Sequence, residues 1–316
     1  MGTERELIAR IARRVRGGSG VVLGIGDDAA LLEAPAGWLV ATCDALLAGR
    51  HFAPEDDPAD VGWKALAVNL SDLAAMGARP RHALLALNLP EADVEWLERF
   101  LDGFLAIAHE HGVALVGGNL ARGDLSITVT LLGEVAAGRA LRRDGGRAGD
   151  RLWVTGALGA AAAALASLRR GERPPPDWRA RLDRPVPRVS AGLALAGVAH
   201  AAIDLSDGLL ADLDRLCTAS GTGAEIDLSA LPFAPGLEAL GDDDRLAFAL
   251  GGGEDYELLL ALPPGLDPRS QLADQIPITA IGTLTAEPGI RLRDPRGALR
   301  PVGAMGFDHF AGAGDA

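Results

Sequence analysis

Apolar positions along the chain switch between two spacings, and the switches mark its elements. Residues 4–16 place Leu7, Ile8, Ile11 and Val15 on one stripe and read as a short helix with a basic end. From Asp60, Val61, Ala65, Val68 and Met76 recur at helical intervals, with Pro58 near the start and Gly77 and Pro80 as stop signals. Residues 91–111 predict a second long helix, burying Val94, Leu97, Leu101, Leu105 and Ala108. Strand-like runs lie between: Val21–Leu23, Trp38–Thr42 ending on Cys43-Asp44, His82–Leu89, Val113–Val116 delivering Gly117-Gly118-Asn119, and Ser126–Val135. This alternation predicts an α/β domain over residues 1–145.

The stretch Arg142–Asp150, with three glycines, reads as a linker. Beyond it, Arg151–Gly156 opens a second α/β domain over residues 146–316 and leads into an Ala-rich helix. Arg173–Pro187 holds five prolines and is expected to be irregular. A helix over 188–199 follows. Then come Ala202–Leu209 introducing another helix, a strand at Ala224–Leu228, and a short helix at Arg245–Leu250. Gly251-Gly252-Gly253-Glu254-Asp255-Tyr256-Glu257 leads into strand Leu258–Leu262, and the tail reads as a strand or two.

Composition narrows the function. The net charge of −13 argues against a nucleic-acid or anionic-membrane surface. No apolar run reaches membrane-spanning length. Two cysteines, Cys43 and Cys217, form neither a disulfide framework nor a CxxC metal pattern, so a reducing cytoplasm is expected. Lys64 is the only lysine, between Trp63 and Ala65, so there is no P-loop. Nucleotide chemistry here would have to use metal ions, glycine backbone and arginine.

Carboxylates recur at strand ends and beside glycines: Asp27-Asp28 after Gly24-Ile25-Gly26, then Asp44, Asp72, Asp204 and Asp207. Any one of them serves equally well as a cap or turn residue. Together they form a hard-oxygen set suited to Mg²⁺. Two carboxylates about 5 Å apart repel by roughly 3 kcal/mol at an effective dielectric near 20, so a cluster this size requires several divalent ions. Asn69 and Asp72, three apart, share a helix face, and Asp72 is expected to be the hub gathering the others. Gly24/Gly26, Gly117-Gly118 and Gly251-Gly252-Gly253 are expected to open the backbone to phosphates. Ala29 occupies the last position of a would-be Gly-x-Gly-x-x-Gly, which argues against a dinucleotide fold. Cys43 reads as a small buried residue, with a nucleophile as the alternative. His109 and His111 read as solvated helix-end residues, and His51, beside Phe52, as a candidate substrate contact. No HExxH or GxSxG motif occurs.

Four ordered motifs carry a resemblance. Gly24-Ile25-Gly26-Asp27-Asp28-Ala29-Ala30-Leu31, Asn69 to Ala78, Ile203-Asp204-Leu205-Ser206-Asp207-Gly208-Leu209 and Gly252-Gly253-Glu254-Asp255-Tyr256-Glu257-Leu258 resemble the thiamine-monophosphate kinase family. That family lies within the aminoimidazole-ribonucleotide-synthetase-like superfamily, and the resemblance spans nearly the whole chain. It implies two α/β domains, with the N-terminal sheets of two subunits pairing in a homodimer. The implied reaction moves the γ-phosphoryl of ATP onto thiamine monophosphate. The resemblance implies Mg²⁺ ligands at Asp28, Thr42, Cys43 (through its carbonyl), Asp44, Asp72, Asn119, Asp204 and Asp207. Of these, Asp28, Asp44, Asp72 and Asp207 would carry the catalysis. Gly118, Asn119, Arg143 and Ser206 would touch ATP; His51, Glu254 and Phe307 would touch the thiamine phosphate. The family often has Asp in place of Asn119, and Thr or Ser in place of Cys43.

A phosphate monoester has a second pKa near 6, so such an acceptor is already a dianion at neutral pH and needs no general base. This fits the absence of His or Ser machinery. The competing readings are a sister enzyme making another phosphorylated product and a non-catalytic nucleotide or thiamine-phosphate sensor. No Cys or Lys precedes Cys43, unlike the usual selenophosphate synthetase pattern, and the retained Asp set argues against a sensor.

Overall fold

In the computed structural model, which describes residues 3–15, 17–25, 30–34, 36–272 and 276–302, the two hydrophobic spacings resolve into two compact units. One comprises Met1–Leu73 and Ala78–Gly138, the other Ala74–Gly77 and Arg139–Ala316.

In the first unit, helix α1 (Glu4–Arg14) begins at a capping box, where Thr3 and Glu6 each accept the other's backbone N–H. Strands β1 (Val21–Leu23) and β2 (Leu31–Leu32) pair antiparallel. Then come β3 (Trp38–Leu47), α2 (Pro58–Ala75), β4 (Arg79–Leu89), α3 (Val94–Glu110), β5 (Ala114–Arg122) and β6 (Ser126–Val135). These four strands form one sheet in the order β3-β6-β4-β5, antiparallel apart from the parallel β4–β5 pair. Leu66, Leu70 and Leu73 of α2 and Phe100 and Phe104 of α3 are wholly buried. Burying each such side chain stabilises the fold by about 1.5–3 kcal/mol. The two helices meet backbone to backbone. A Cβ on Gly62 would stand 2.0 Å from the Phe100 carbonyl oxygen, and one on Gly103 would stand 1.7 Å from that of Ala59.

The second unit contains β7 (Arg151–Thr155), α4 (Ala160–Arg169), α5 (Pro176–Asp183), α6 (Val189–Leu195), β8 (Ala201–Asp204) and α7 (Leu209–Ser220). It continues with β9 (Gly223–Asp227), α8 (Asp242–Gly251), β10 (Leu258–Leu262), β11 (Ile278–Thr285), β12 (Gly289–Arg293) and β13 (Leu299–Pro301). Its strands form a sheet in the order β13-β12-β9-β11-β7-β10-β8. Leu152, Val154, Ile203, Leu213, Leu216, Leu259 and Ile281 knit this sheet to α7 in one core. The mixed α/β class expected from the sequence is the one observed. Among the described residues no helix is long and apolar enough to cross a membrane.

Four local expectations are corrected. The proline-rich excursion contains helix α5, because Pro176 sits at its first turn, where a missing N–H costs nothing. The helix expected over 188–199 is shorter, ending at Leu195. Strand β3 does not stop at Asp44 but runs to Leu47, paired with β6 throughout. Gly117-Gly118-Asn119 lies inside β5 rather than in a turn after it.

Candidate active site

The first unit builds its chemistry where β3 passes under α2. Thr42 and Asp44, two apart on β3, share a face, and Asn69 and Asp72, three apart on α2, meet them. Asn69, fully buried, donates its Nδ2 to the Ala65 carbonyl at 3.1 Å and accepts the Asp44 amide at 3.2 Å. Asp72 accepts the Thr42 hydroxyl. Burial, the Asp72 charge and a hydrogen bond shared with it raise the Asp44 carboxyl to about 6. The set is all oxygen and carries more negative charge than it holds comfortably ionised, a condition that a hard divalent cation relieves. Thr42, Asp44 and Asp72 therefore fit Mg²⁺.

Around Asp72 the first unit itself assembles Thr42, Asp44 and Asn69. Among the described residues no group of three or more His, Cys, Asp or Glu side chains is assembled as a metal cluster. Asp27 and Asp28 lie outside the described residues, as does Phe307. Asn119 is on β5, at the opposite sheet edge from β3. Three strand spacings, roughly 14 Å along the sheet, separate those edges. Ladder partners share a face, and Asn119 pairs through Ala86 and Thr128 to Ala45, whereas Asp44 pairs through Val129 and Leu85 to Gly118. Asn119 is thus exposed on the face opposite Asp44. Gly118 has no room for a side chain: a Cβ there would stand 1.8 Å from the Leu85 carbonyl oxygen.

Cys43 is also corrected. It is exposed, because β3 is an edge strand and its odd-numbered positions face away from α2; its Sγ lies 3.4 Å from the Thr130 hydroxyl. His111, read as solvated, is mostly covered, and burial lowers its pKa. His51 sits in the turn after β3. Its Nδ1 accepts the Leu47 amide at 3.0 Å, which leaves the ring proton on Nε2 in the neutral form. Beneath it, the buried Lys64 donates its Nζ to the His51 carbonyl at 3.2 Å.

The second unit brings two motifs together. Strand β8 ends on the buried Asp204, and Leu205-Ser206-Asp207-Gly208 turns the chain into α7. The segment before β10 lies along this turn. Leu205 donates to the Glu257 carbonyl at 2.8 Å, Tyr256 to Leu205 at 2.9 Å, and Glu254 to Ser206 at 2.9 Å. Asp204, Ser206, Asp207 and Glu254 are thereby neighbours. Glu254 and Tyr256 have φ of +72° and +50°, each a left-handed conformation costing on the order of 1–3 kcal/mol for a non-glycine residue. The nearby glycines are closely packed. Cβ atoms on Gly252 and Gly253 would lie 2.3 Å from the Phe248 carbonyl oxygen and 2.5 Å from that of Ser206. Arg143 is exposed in a short 3₁₀ turn, where its carbonyl accepts the Ser220 hydroxyl at 2.6 Å.

Several residues around these motifs carried no assignment from the sequence. Asp212, one turn into α7, accepts the Asp207 amide at 3.0 Å, and Arg215 donates to both carboxylates. Burial raises the Asp212 carboxyl above the usual range, partly offset by the Asp207 N–H. Its three-residue offset from Arg215 on α7 was a readable signal. Glu257, also buried, accepts the Thr155 hydroxyl at 2.7 Å and the Arg188 guanidinium through two bonds of 2.5 Å. No sequence spacing announces that pair.

Two matched domains define the class. Residues 26–135 match the N-terminal domain of AIR synthase related proteins, and residues 147–295 match their C-terminal domain. Within that class, the thiamine-monophosphate kinase of Salmonella typhimurium is 46% identical, with 98% of each chain covered. The crystal structure of thiamine-monophosphate kinase from Stenotrophomonas maltophilia is 46% identical and superposes with a TM-score of 0.83, covering 91% of this chain and 94% of that one. A ThiL protein complexed with AMPPCP and TMP is 34% identical, with a TM-score of 0.78 and 97% of both chains covered. The chain belongs to the thiamine-monophosphate kinase family.

Proposed function

We propose that this chain transfers the γ-phosphoryl of ATP directly to the phosphate of thiamine monophosphate, giving thiamine diphosphate. Family membership along the full chain carries the reading. The chemistry of the residues supports it: an acceptor that is already a dianion requires alignment and charge neutralisation rather than a base. Mg²⁺, when bound, neutralises charge on the transferring phosphoryl group.

In the N-terminal domain (residues 1–145), Asp44, Asp72 and Thr42 hold Mg²⁺ together with Asp28 and the Cys43 carbonyl, and His51 presents its Nε2–H to the thiamine phosphate. Gly118 and Asn119, at the other edge of the sheet, meet ATP, Asn119 serving as ligand through its amide oxygen to an ion other than the one at Asp44. In the C-terminal domain (residues 146–316), Asp204 and Asp207 are the metal-binding carboxylates, Ser206 contacts ATP, and Glu254 contacts the thiamine phosphate. Arg143, at the boundary, contributes charge toward ATP, and Phe307 remains the aromatic proposed for the thiamine. The enzyme works as a cytoplasmic homodimer. The outward face of β3, with Leu39, Cys43 and Leu47 exposed, is an uncharged edge strand suited to a second copy.

ADP release with ATP, Mg²⁺ and thiamine monophosphate, and thiamine as control acceptor, tests the reading. Turnover dependent on the monophosphate is expected. ATP binding without turnover on either acceptor would sink it.

A further inference from the structure

Strand β7 runs through Gly156-Ala157-Leu158-Gly159 into helix α4, and both glycines have positive φ, +60° and +93°. A strand–glycine turn–helix of this kind presents an amide at the positive end of the helix, where an anion is favoured. Here the chain supplies its own. Both carboxylate oxygens of Asp255 accept the Gly159 N–H, at 3.0 and 3.1 Å. Burial raises this carboxyl well above the usual range, with the Gly159 N–H opposing. A group so placed is costly to bury and takes no part in the reaction described above, so what it holds in place is the question.

What it holds is the strained turn. Asp255 sits between Glu254 and Tyr256, the two non-glycine residues with left-handed backbones among the described residues. On one side the turn is bonded to Leu205 and Ser206 through the Glu254 and Tyr256 amides. At its end, Glu257 is clamped by Thr155 and Arg188. Gly156 leaves room for that clamp, since a Cβ there would lie 1.9 Å from the Glu257 Oε1. The Asp255 side chain tethers the middle of the turn to the start of α4. Without it, backbone relaxation at 254–256 would move Glu254 and the Ser206 carbonyl bonded to it.

We propose that Asp255 is a positioning residue for phosphoryl transfer: by capturing the Gly159 amide, it sets the strained turn that aims Glu254 at the acceptor. This rests on the reading of Glu254 as an acceptor contact. Asp255→Asn retains an oxygen for the amide, whereas Asp255→Ala and Asp255→Ser do not reach it.

Steady-state kinetics on the full-length protein, with melting temperatures alongside, provide the test. Misplacement of a contact by an ångström costs on the order of 100-fold, so Asp255→Ala should lower kcat/KM for thiamine monophosphate by about that factor while leaving ATP binding, followed by nucleotide titration, nearly unchanged. Asp255→Asn should restore most of the loss. Where the alanine variant is insoluble, the serine variant takes its place. Glu254→Ala separates the two readings. A full loss in Glu254→Ala that Asp255→Ala does not deepen supports the positioning role. If Glu254→Ala is silent and Asp255→Ala is not, Glu254 is the misread residue and the proposed route fails with it. An Asp255→Ala variant that only melts earlier, with unchanged kcat and KM, would reduce Asp255 to a structural residue and overturn the proposal.

Discussion

Asp44 and Asp72 face one another across the β3–α2 contact as like charges, and burial first, with that repulsion second, raises the Asp44 carboxyl to about 6. Neighbouring groups fix the pair from both sides: Asn69 accepts the Asp44 amide, and Thr42 donates to Asp72. Held in this way, the two carboxylates are arranged for charge neutralisation rather than for proton transfer.

Removing Asp72 should therefore be the most damaging single change. Asp72→Ala is expected to abolish turnover while the Asp44 carboxyl falls back toward ordinary acidity. ADP release from a folded variant at near-normal rate would contradict the assignment.

The same pair sets a pH dependence. Because the folded-state value of Asp44 lies above the ordinary carboxylate value of 3.8, the folded state binds its proton more tightly than the unfolded chain does. In metal-free protein, its contribution to stability should thus rise as pH falls from about 6 toward 4, by about 2 kcal/mol after allowance for solvent screening. Urea unfolding of wild type and Asp44→Asn in EDTA across that window measures the difference. Parallel curves would show that Asp44 is not coupled. Mg²⁺, competing with the proton, should stabilise wild type more at pH 7.5 than at pH 5.5.

Arg188 and Glu257 form a largely buried ion pair, with side chains 12% and 3% exposed. Removing the guanidinium leaves Glu257 uncompensated, so Arg188→Met should destabilise the fold by about 3–5 kcal/mol. Lysine should rescue little, because one ammonium does not reproduce two parallel bonds. Denaturant titration of both variants checks this; a full rescue by lysine would argue that charge alone matters.

The exposed β3 face makes an assembly prediction. Leu39 and Leu47 are 59% and 44% exposed. Glutamate at both positions should convert a dimer to monomer in sedimentation equilibrium without unfolding it. A wild type that sediments as a monomer would remove the homodimer proposal.

Sequence reading recovered what depends on local spacing. Asn69 and Asp72 were placed on one helix face, and both indeed reach β3. Ser206 and Glu254 each stood out through a motif. The sequence did not reveal partnerships made by topology: Asn69 with Asp44 through a helix–strand crossing, or Arg188 with Glu257 across 69 residues. Glycine was ambiguous because close packing and phosphate access call for the same residue. At Gly118 and Gly252, the approaching atoms prove to be the chain's own carbonyls. Cys43 was expected to be buried because small apolar residues usually are, but edge-strand position outweighs composition.

Lys64 has a practical consequence. As the chain's single lysine, buried with its amine on the His51 carbonyl, it leaves amine-directed labels no other side chain to attack. Acylation at Lys64 would require the 47–51 turn to lift away, so the labelling rate becomes a clock for that opening. If substrate holds the turn closed through His51, labelling should slow as thiamine monophosphate is added, giving a readout of loop motion that needs no introduced probe.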